Sequence, residues 1–280
     1  MIDDPDSAVY RVRVAPLEAM NGNICRILMI GDVVSAVGTE KLTAVLPRLK
    51  KEYAADVTVV NGENAAVGNG LTRQAAEQIF SAGADCITGG NHTFRRREFY
   101  EYLDASEFCL RPENYGESAP GRGICIVDKG SVRVGVVNLL GTVFMEPLEN
   151  PFDCMDRALE ALRGEVHFTV VDFHAEATAE KRAMGFYLDG KVAAVAGTHT
   201  HVQTADEQIL PCGTAYITDL GMTGPVQSVL GVEPSLAIEK MRTHLPVRFQ
   251  NPDGECLLQG VCIDVDKQTG KAVRIERISV

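Results

Sequence analysis

Residues 56–92, DVTVVNGENAAVGNGLTRQAAEQIFSAGADCITGGNH, read as strand, helix, strand, and each β-branched run stops at a knot of polar residues. DVTVVN gives way to Gly62-Glu63-Asn64, and CITGGN ends in Asn91-His92. Between them, TRQAAEQIFSAGA carries apolar residues at helical spacing. Upstream, ICRILMI runs into Gly31-Asp32, and TEKLTAVLPRLKKEY follows as a helix with Thr39 as its expected N-cap. The resulting βαβαβ order predicts a mainly parallel sheet covered by helices.

Working outward, the helical RREFYEYLDA and a Gly/Pro-rich stretch at 111–123 precede ICIVD (124–128) and RVGVVNL (133–139). These two read as a hairpin across Lys129-Gly130-Ser131. The helix FDCMDRALEALRGE leads to the strands FTVVDFH (168–174) and VAAVAGTH (192–199). The C-terminal part is expected to be strand-rich: TAYITD, PVRFQ, CLLQGVCIDVD and AVRIERISV, with PSLAIEKMRTHL as a helix. Two packed sheets with helices outside accommodate this order, as one domain over 24–280. Residues 1–23 lack periodicity and read as an appended extension, with Met20 as a second candidate start.

The 280 residues include 45% hydrophobic and 23% charged side chains, an ordinary globular composition. A net charge of -11 opposes an extended nucleic-acid groove, which needs a basic face. A small anionic substrate remains compatible if the site supplies its own positive charge. No apolar run reaches the ~20 residues a membrane span requires, and the first residues lack a secretory-signal pattern. Eight cysteines without a CxxC spacing read as reduced packing residues, which points to a cytoplasmic location.

The chemistry sits where the apolar runs end: Asp32, Glu63-Asn64, Asn91-His92, His174, and His199-Thr200-His201. In an open α/β sheet the carboxyl ends of parallel strands line the ligand crevice. In VAGTHTHVQTA (195–205), an extended backbone would aim His199 and His201 to one side, whereas a helix would separate them by roughly 200°. Imidazoles, carboxylates and amides without thiolate suit Fe, Mn or Zn better than Mg or Ca. The candidates exceed the needs of one ion, so two metal ions sharing a carboxylate are expected.

GDVV, NGENAA, GGNHT, DFHAEATAEK, AGTHTHVQTAD and ITDLGMTGP together resemble the YmdB-like branch of the calcineurin-like metallophosphoesterases, which includes 2',3'-cyclic-nucleotide phosphodiesterases. The resemblance runs in order from Cys25 onward. Three departures from the broad metallophosphoesterase pattern match this branch: Val34 in place of a histidine, Glu63 in place of the bridging aspartate, and Thr198 inserted into the last motif. The resemblance implies a four-layer α/β/β/α sandwich with two mixed sheets. It also implies that Asp32, Glu63, Asn64 and His201 hold one metal, and Glu63, Asn91, His174 and His199 the other. His92 matches the family's general acid.

On this reading the chain is a dinuclear phosphodiesterase for nucleoside 2',3'-cyclic phosphates, with 3',5'-cyclic nucleotides as further candidate substrates. A metal-activated hydroxide attacks phosphorus, and His92 protonates the departing ribose oxygen. Competing readings are a phosphomonoesterase, a nuclease on short RNA, and a regulatory metal-binding protein; a signalling partner and a homo-oligomer stay open.

Several neighbouring features have two readings each. Among Arg95-Arg96-Arg97 one residue, Arg95 first, is a candidate phosphate contact, against a solvated helix start. Thr223 and Gly224 in the DLGMTGP loop are candidate substrate contacts or plain turn residues. Gly68-Asn69-Gly70 reads as a tight turn, because Arg73 breaks the GxGxxG pattern. His167 and His244 read as surface or packing residues, while Asp172 and Glu176 are candidates for orienting His174.

Overall fold

The computed structural model describes residues 23–280; apart from Asn23, the extension expected over 1–23 lies outside the described residues. In chain order the elements are β1 (Ile24–Ile30), β2 (Asp32–Val33), α1 (Ser35–Glu52), β3 (Val57–Asn61), α2 (Arg73–Ser81), β4 (Cys86–Thr88) and α3 (Tyr100–Ala105). There follow β5 (Ile124–Asp128), β6 (Arg133–Leu140), α4 (Pro151–Leu162), β7 (Phe168–His174), α5 (Thr178–Tyr187), β8 (Ala194–Thr198), β9 (Gln208–Ile209) and β10 (Ala215–Ile217). The chain closes with β11 (Met222–Pro225), α6 (Pro234–Thr243), β12 (Cys256–Leu257), β13 (Gln259–Asp266) and β14 (Ala272–Ser279).

One sheet has the order β14-β13-β1-β3-β4 and the other β5-β6-β7-β8-β10-β9. Each has a parallel centre, β1-β3-β4 and β6-β7-β8-β10, flanked by antiparallel strands. The period-2 alternation of side chains makes the layers. Ile27 and Met29 of β1 meet Val134, Val136 and Val170 of the second sheet in an inter-sheet core. Leu28 and Ile30 point the other way, against Leu42, Leu46 and Leu49 of α1 and Ile79 of α2. On the far side, Val171 and Phe173 pack on Met155, Ala158 and Leu162 of α4 and Met184 of α5. The architecture is the expected α/β/β/α sandwich with two mixed sheets.

Local readings differ at four places. PVRFQ forms no strand, and most of it is exposed beyond α6. CLLQGVCIDVD is split by Leu258 into β12 and β13, because β12 leaves the large sheet for a small third one of order β12-β11-β2. RREFYEYLDA is a 3-10 turn, Arg97–Phe99, running into a short α3. Thr39 is not an N-cap: α1 begins at Ser35, whose N–H donates to the Asn64 carbonyl at 2.7 Å. The Thr39 hydroxyl is turned back onto the Ser35 carbonyl within the helix, 3.0 Å away. Among the described residues no helix is long and apolar enough to cross a membrane.

Candidate metal centre

The sheets carry the candidate residues to one crevice through the carboxyl ends of β1, β3, β4, β7 and β8. Asp32 is held by β11, its N–H donating to the Gly221 carbonyl at 3.2 Å. Glu63 and Asn64 follow β3, with Asn61 Oδ1 accepting the Glu63 N–H. Asn91 and His92 follow β4, and His174 ends β7. Gly90 is required by this crowding: a Cβ there would lie 2.2 Å from Glu63 Oε2 and 2.5 Å from the His174 ring. Asp32, Glu63, Asn64 and His174 are buried, and Asn91, His92, His199 and His201 are half-buried at the rim.

The HTH segment does not converge by strand alternation. β8 stops at Thr198, and His199 (φ 105°) and His201 (φ 62°) sit beyond it with left-handed backbones that side-chain-bearing residues seldom adopt. A buried ion pair holds this turn open: Lys181 Nζ donates to Asp219 Oδ2 at 2.7 Å, and the same oxygen accepts the Thr200 N–H. Asp32 Oδ2 accepts the His199 N–H at 3.1 Å. Strain of this kind persists only where the surroundings over-determine it.

Each of the three imidazoles has an acceptor on its outer side. The Thr198 hydroxyl donates to Asp172 Oδ1 at 2.7 Å, so toward His174 Nδ1, 2.9 Å away, it can only accept. His174 Nδ1 therefore carries a proton, and Nε2 is the ring atom that faces the crevice. His201 Nδ1 lies 3.0 Å from the Leu230 carbonyl, and His199 Nε2 lies 2.9 Å from Glu176 Oε2. His201 Nε2 and His199 Nδ1 are thereby turned inward. Asp172 thus acts on His174 through Thr198 rather than directly, and Glu176 orients His199 instead of His174.

The inward atoms crowd one another. His174 Nε2 is 3.0 Å from both His199 Nδ1 and Asn91 Oδ1, and 3.3 Å from Glu63 Oε1. Donor atoms of Glu63, His174 and His199 all fall within 4.8 Å of one another, close enough to hold a metal ion. On the other side, His201 Nε2 is 3.6 Å from Asp32 Oδ1 and 3.3 Å from Asn64 Nδ2. Asp32 Oδ1 and Asn64 Oδ1 are buried with no hydrogen-bond partner among the described residues. A buried unpaired oxygen is costly, and a cation is a fitting partner for a carboxylate and an amide carbonyl together.

The electrostatics follow from this packing. Burial opposes the Glu63 charge, yet His174 and His92 hold its carboxyl well below the usual range. Burial likewise opposes the His174 imidazolium, but Glu63, Asp32 and Asp172 outweigh it and push His174 up to about 9. Burial and the neighbouring His174 depress His199. Burial pushes Asp172 up to about 6 against the hydrogen bonds from Thr88, Thr198 and Asn61.

His92 stands at the rim, its N–H donating to Glu63 Oε2 at 2.9 Å and its Nδ1 lying 3.0 Å from Glu63 Oε1. Its Nε2 faces the amides of Asn69 (3.4 Å) and Asn91 (3.5 Å). Asn69 was legible only as a turn residue. It is the middle of three successive left-handed residues, Gly68, Asn69 and Gly70, and Arg96 donates to the carbonyls of Asn69 and Val67. Arg96 is thereby committed to the turn, whereas Arg95 and Arg97 are exposed.

Thr223 and Gly224 are buried in β11. The Thr223 carbonyl receives the Val34 N–H and abuts Gly38 of α1, where a Cβ would come within 2.2 Å of it. Gly224 packs on Val34. Their placement gives them a part in seating α1. His167 Nδ1 accepts the Arg133 N–H, and His244 ends α6 in a left-handed cap. A cleft of about 550 Å³ lined by Glu160, Arg163, His167 and Lys191 lies at the opposite, amino end of β7.

Residues 28–278 match the family described as YmdB-like protein. A 2',3'-cyclic-nucleotide 2'-phosphodiesterase of Bacillus subtilis is 47% identical over 255 residues, covering 91% of this chain and 97% of the relative. The crystal structure of a phosphatase from Mycoplasma pneumoniae superposes with a TM-score of 0.87 at 34% identity, over 92% of this chain and 94% of that one. A structure assigned to a 5'-nucleotidase of Staphylococcus aureus, at 14% identity and a TM-score of 0.60, covers 91% of this chain and 54% of its own; it speaks to the fold alone.

Proposed function

The chain belongs to the YmdB-like family, and we propose that it is a two-metal phosphodiesterase that opens nucleoside 2',3'-cyclic phosphates. The observation that carries this is the ring of inward-turned imidazoles and the unpartnered Asp32 and Asn64 oxygens on either side of Glu63. Asp32, Glu63, Asn64 and His201 would hold one ion, and Glu63, Asn91, His174 and His199 the other, with Fe or Mn favoured and Zn compatible. When bound, such a pair supplies Lewis acidity for water and for the nonbridging phosphate oxygens.

The chain's own residues do the rest. Glu63 fixes His92 through both its ring Nδ1 and its backbone N–H, which leaves Nε2 at the rim beside the amides of Asn69 and Asn91. Water gives up a proton to solvent as its oxygen adds to phosphorus, the bond from phosphorus to the ribose oxygen breaks, and His92 Nε2 gives that oxygen a proton that solvent later restores. Following the B. subtilis relative's name, the 2'-ester is the one that opens, leaving the 3'-monophosphate. Arg95, exposed beside His92, is the candidate phosphate contact.

Product analysis of metal-loaded protein on 2',3'-cyclic AMP, 3',5'-cyclic AMP and adenosine monophosphates tests the assignment. Ring opening to the 3'-monophosphate with no further release of phosphate is expected. Release of inorganic phosphate from the monophosphates would favour the phosphomonoesterase reading, to which the M. pneumoniae phosphatase lends support.

A further inference from the structure

Phe144 is the most exposed large hydrophobic side chain among the described residues, 88% accessible, and its backbone is left-handed at φ 64°. An aromatic ring in water gains nothing from folding, and chain ends or loose loops are the usual places for it. The loop that carries it is anything but loose. At its root the Gly141 N–H donates to the carbonyl of His174, a residue of the metal centre, at 2.9 Å. Glu180, itself buried, accepts from the Thr142 N–H, the Thr142 hydroxyl and the Val143 N–H. At the far end Asn114 donates to the Glu149 carbonyl, and Asn150 caps α4.

The loop borders a cleft of about 370 Å³ lined by Asn91 and His199 on one side and by Phe144, Met145 and Glu146 on the other. That volume falls in the range of small-ligand sites, roughly 300–1,000 Å³. One end of the cleft is the metal centre, suited to a phosphate. The other offers an aromatic face, a polarisable thioether and an exposed carboxylate that would repel phosphate and accept from an amino group.

We propose that Phe144 is the stacking platform for the nucleobase of the substrate, held in place by Gly141 and Glu180, so that the loop selects a nucleoside ester over a bare sugar phosphate. The inference rests on the phosphodiesterase reading of the metal centre. Stacking is tolerant of base identity, so purine and pyrimidine nucleotides both use the platform.

The test compares wild type, F144A and F144Y on 2',3'-cyclic AMP and on ribose 2',3'-cyclic phosphate, which has no base. For F144A the KM for cyclic AMP rises about tenfold with kcat little changed, as loss of one stacked base requires, while the abasic ester is turned over as by wild type. F144Y keeps the wild-type KM. An unchanged KM in F144A, or equal losses on both esters, overturns the platform and leaves the metal-centre reading standing. A metal-loaded wild type that opens neither ester overturns that reading and the platform with it.

Discussion

The two halves of the metal centre are built differently around Glu63. Where β4, β7 and β8 end, Asn91, His199 and Glu63 all come within 3.0–3.3 Å of His174 Nε2, so polar groups compensate each other before any ion arrives. Where β1 and β3 end, Asp32 Oδ1 and Asn64 Oδ1 are buried with no hydrogen-bond partner among the described residues, and the nearest imidazole, His201, is 3.6 Å from Asp32. The first half is a preassembled cluster, and the second keeps two buried oxygens for which a cation is a fitting partner. Proteins leave a buried carboxylate oxygen unpaired rarely, and a functional reason is the usual one.

On the proposed assignment Glu63 belongs to both halves, so Glu63→Gln should give the largest effect. Metal analysis should find both ions reduced and turnover down by roughly 10²–10³. Loss of only one ion would show that the halves do not share this carboxylate. Graded chelation sharpens the contrast next. The ion beside Asn64, with the single imidazole of His201 against the two of the other set, should leave first, giving two phases of metal release. Asn64→Ala should remove the early phase and His199→Ala the late one; a single phase in wild type and both variants would dissolve the distinction.

Asp172→Asn acts first on the preassembled half, through Thr198 and His174. With its charge removed, the Thr198 hydroxyl no longer has a fixed acceptor and His174 Nδ1 loses its enforced partner. Metal affinity should fall about 10–100-fold with the chain still folded, read by competition against a chromogenic chelator.

The smallest effect is that of pH on the metal-free protein. His174 is raised from its ordinary range to about 9, so its pairing with Glu63 contributes stability fully below about pH 6.5 and loses it as pH climbs through about 9. An ion needs the neutral imidazole, so metal uptake at pH 7 should release protons, and affinity should rise between pH 7 and 9. Uptake without proton release would mean that His174 is not a ligand.

Much of the layered fold was legible because β-branched runs and helical periodicity alternate cleanly, and strand ends announced the donors. The small sheet of β2, β11 and β12 was not, since strands of two to four residues carry too little pattern to read. His199 and His201 were found for a reason that does not hold: their convergence depends on a left-handed turn and on Asp219, some twenty residues away in sequence. Asn69 and Thr198 gave no signal of their own, because a turn asparagine and a strand threonine are ordinary until the partner they touch is known. The Phe144 loop was silent for the same reason, its anchors being Glu180 and the backbone of His174.

The most direct measurement is metal content of purified protein titrated against initial rate on 2',3'-cyclic AMP. Activity should appear only as the second ion per chain binds, with the 3'-monophosphate as product. Full activity at one ion or none, or a fully loaded protein that leaves the cyclic ester intact, would contradict the two-metal phosphodiesterase.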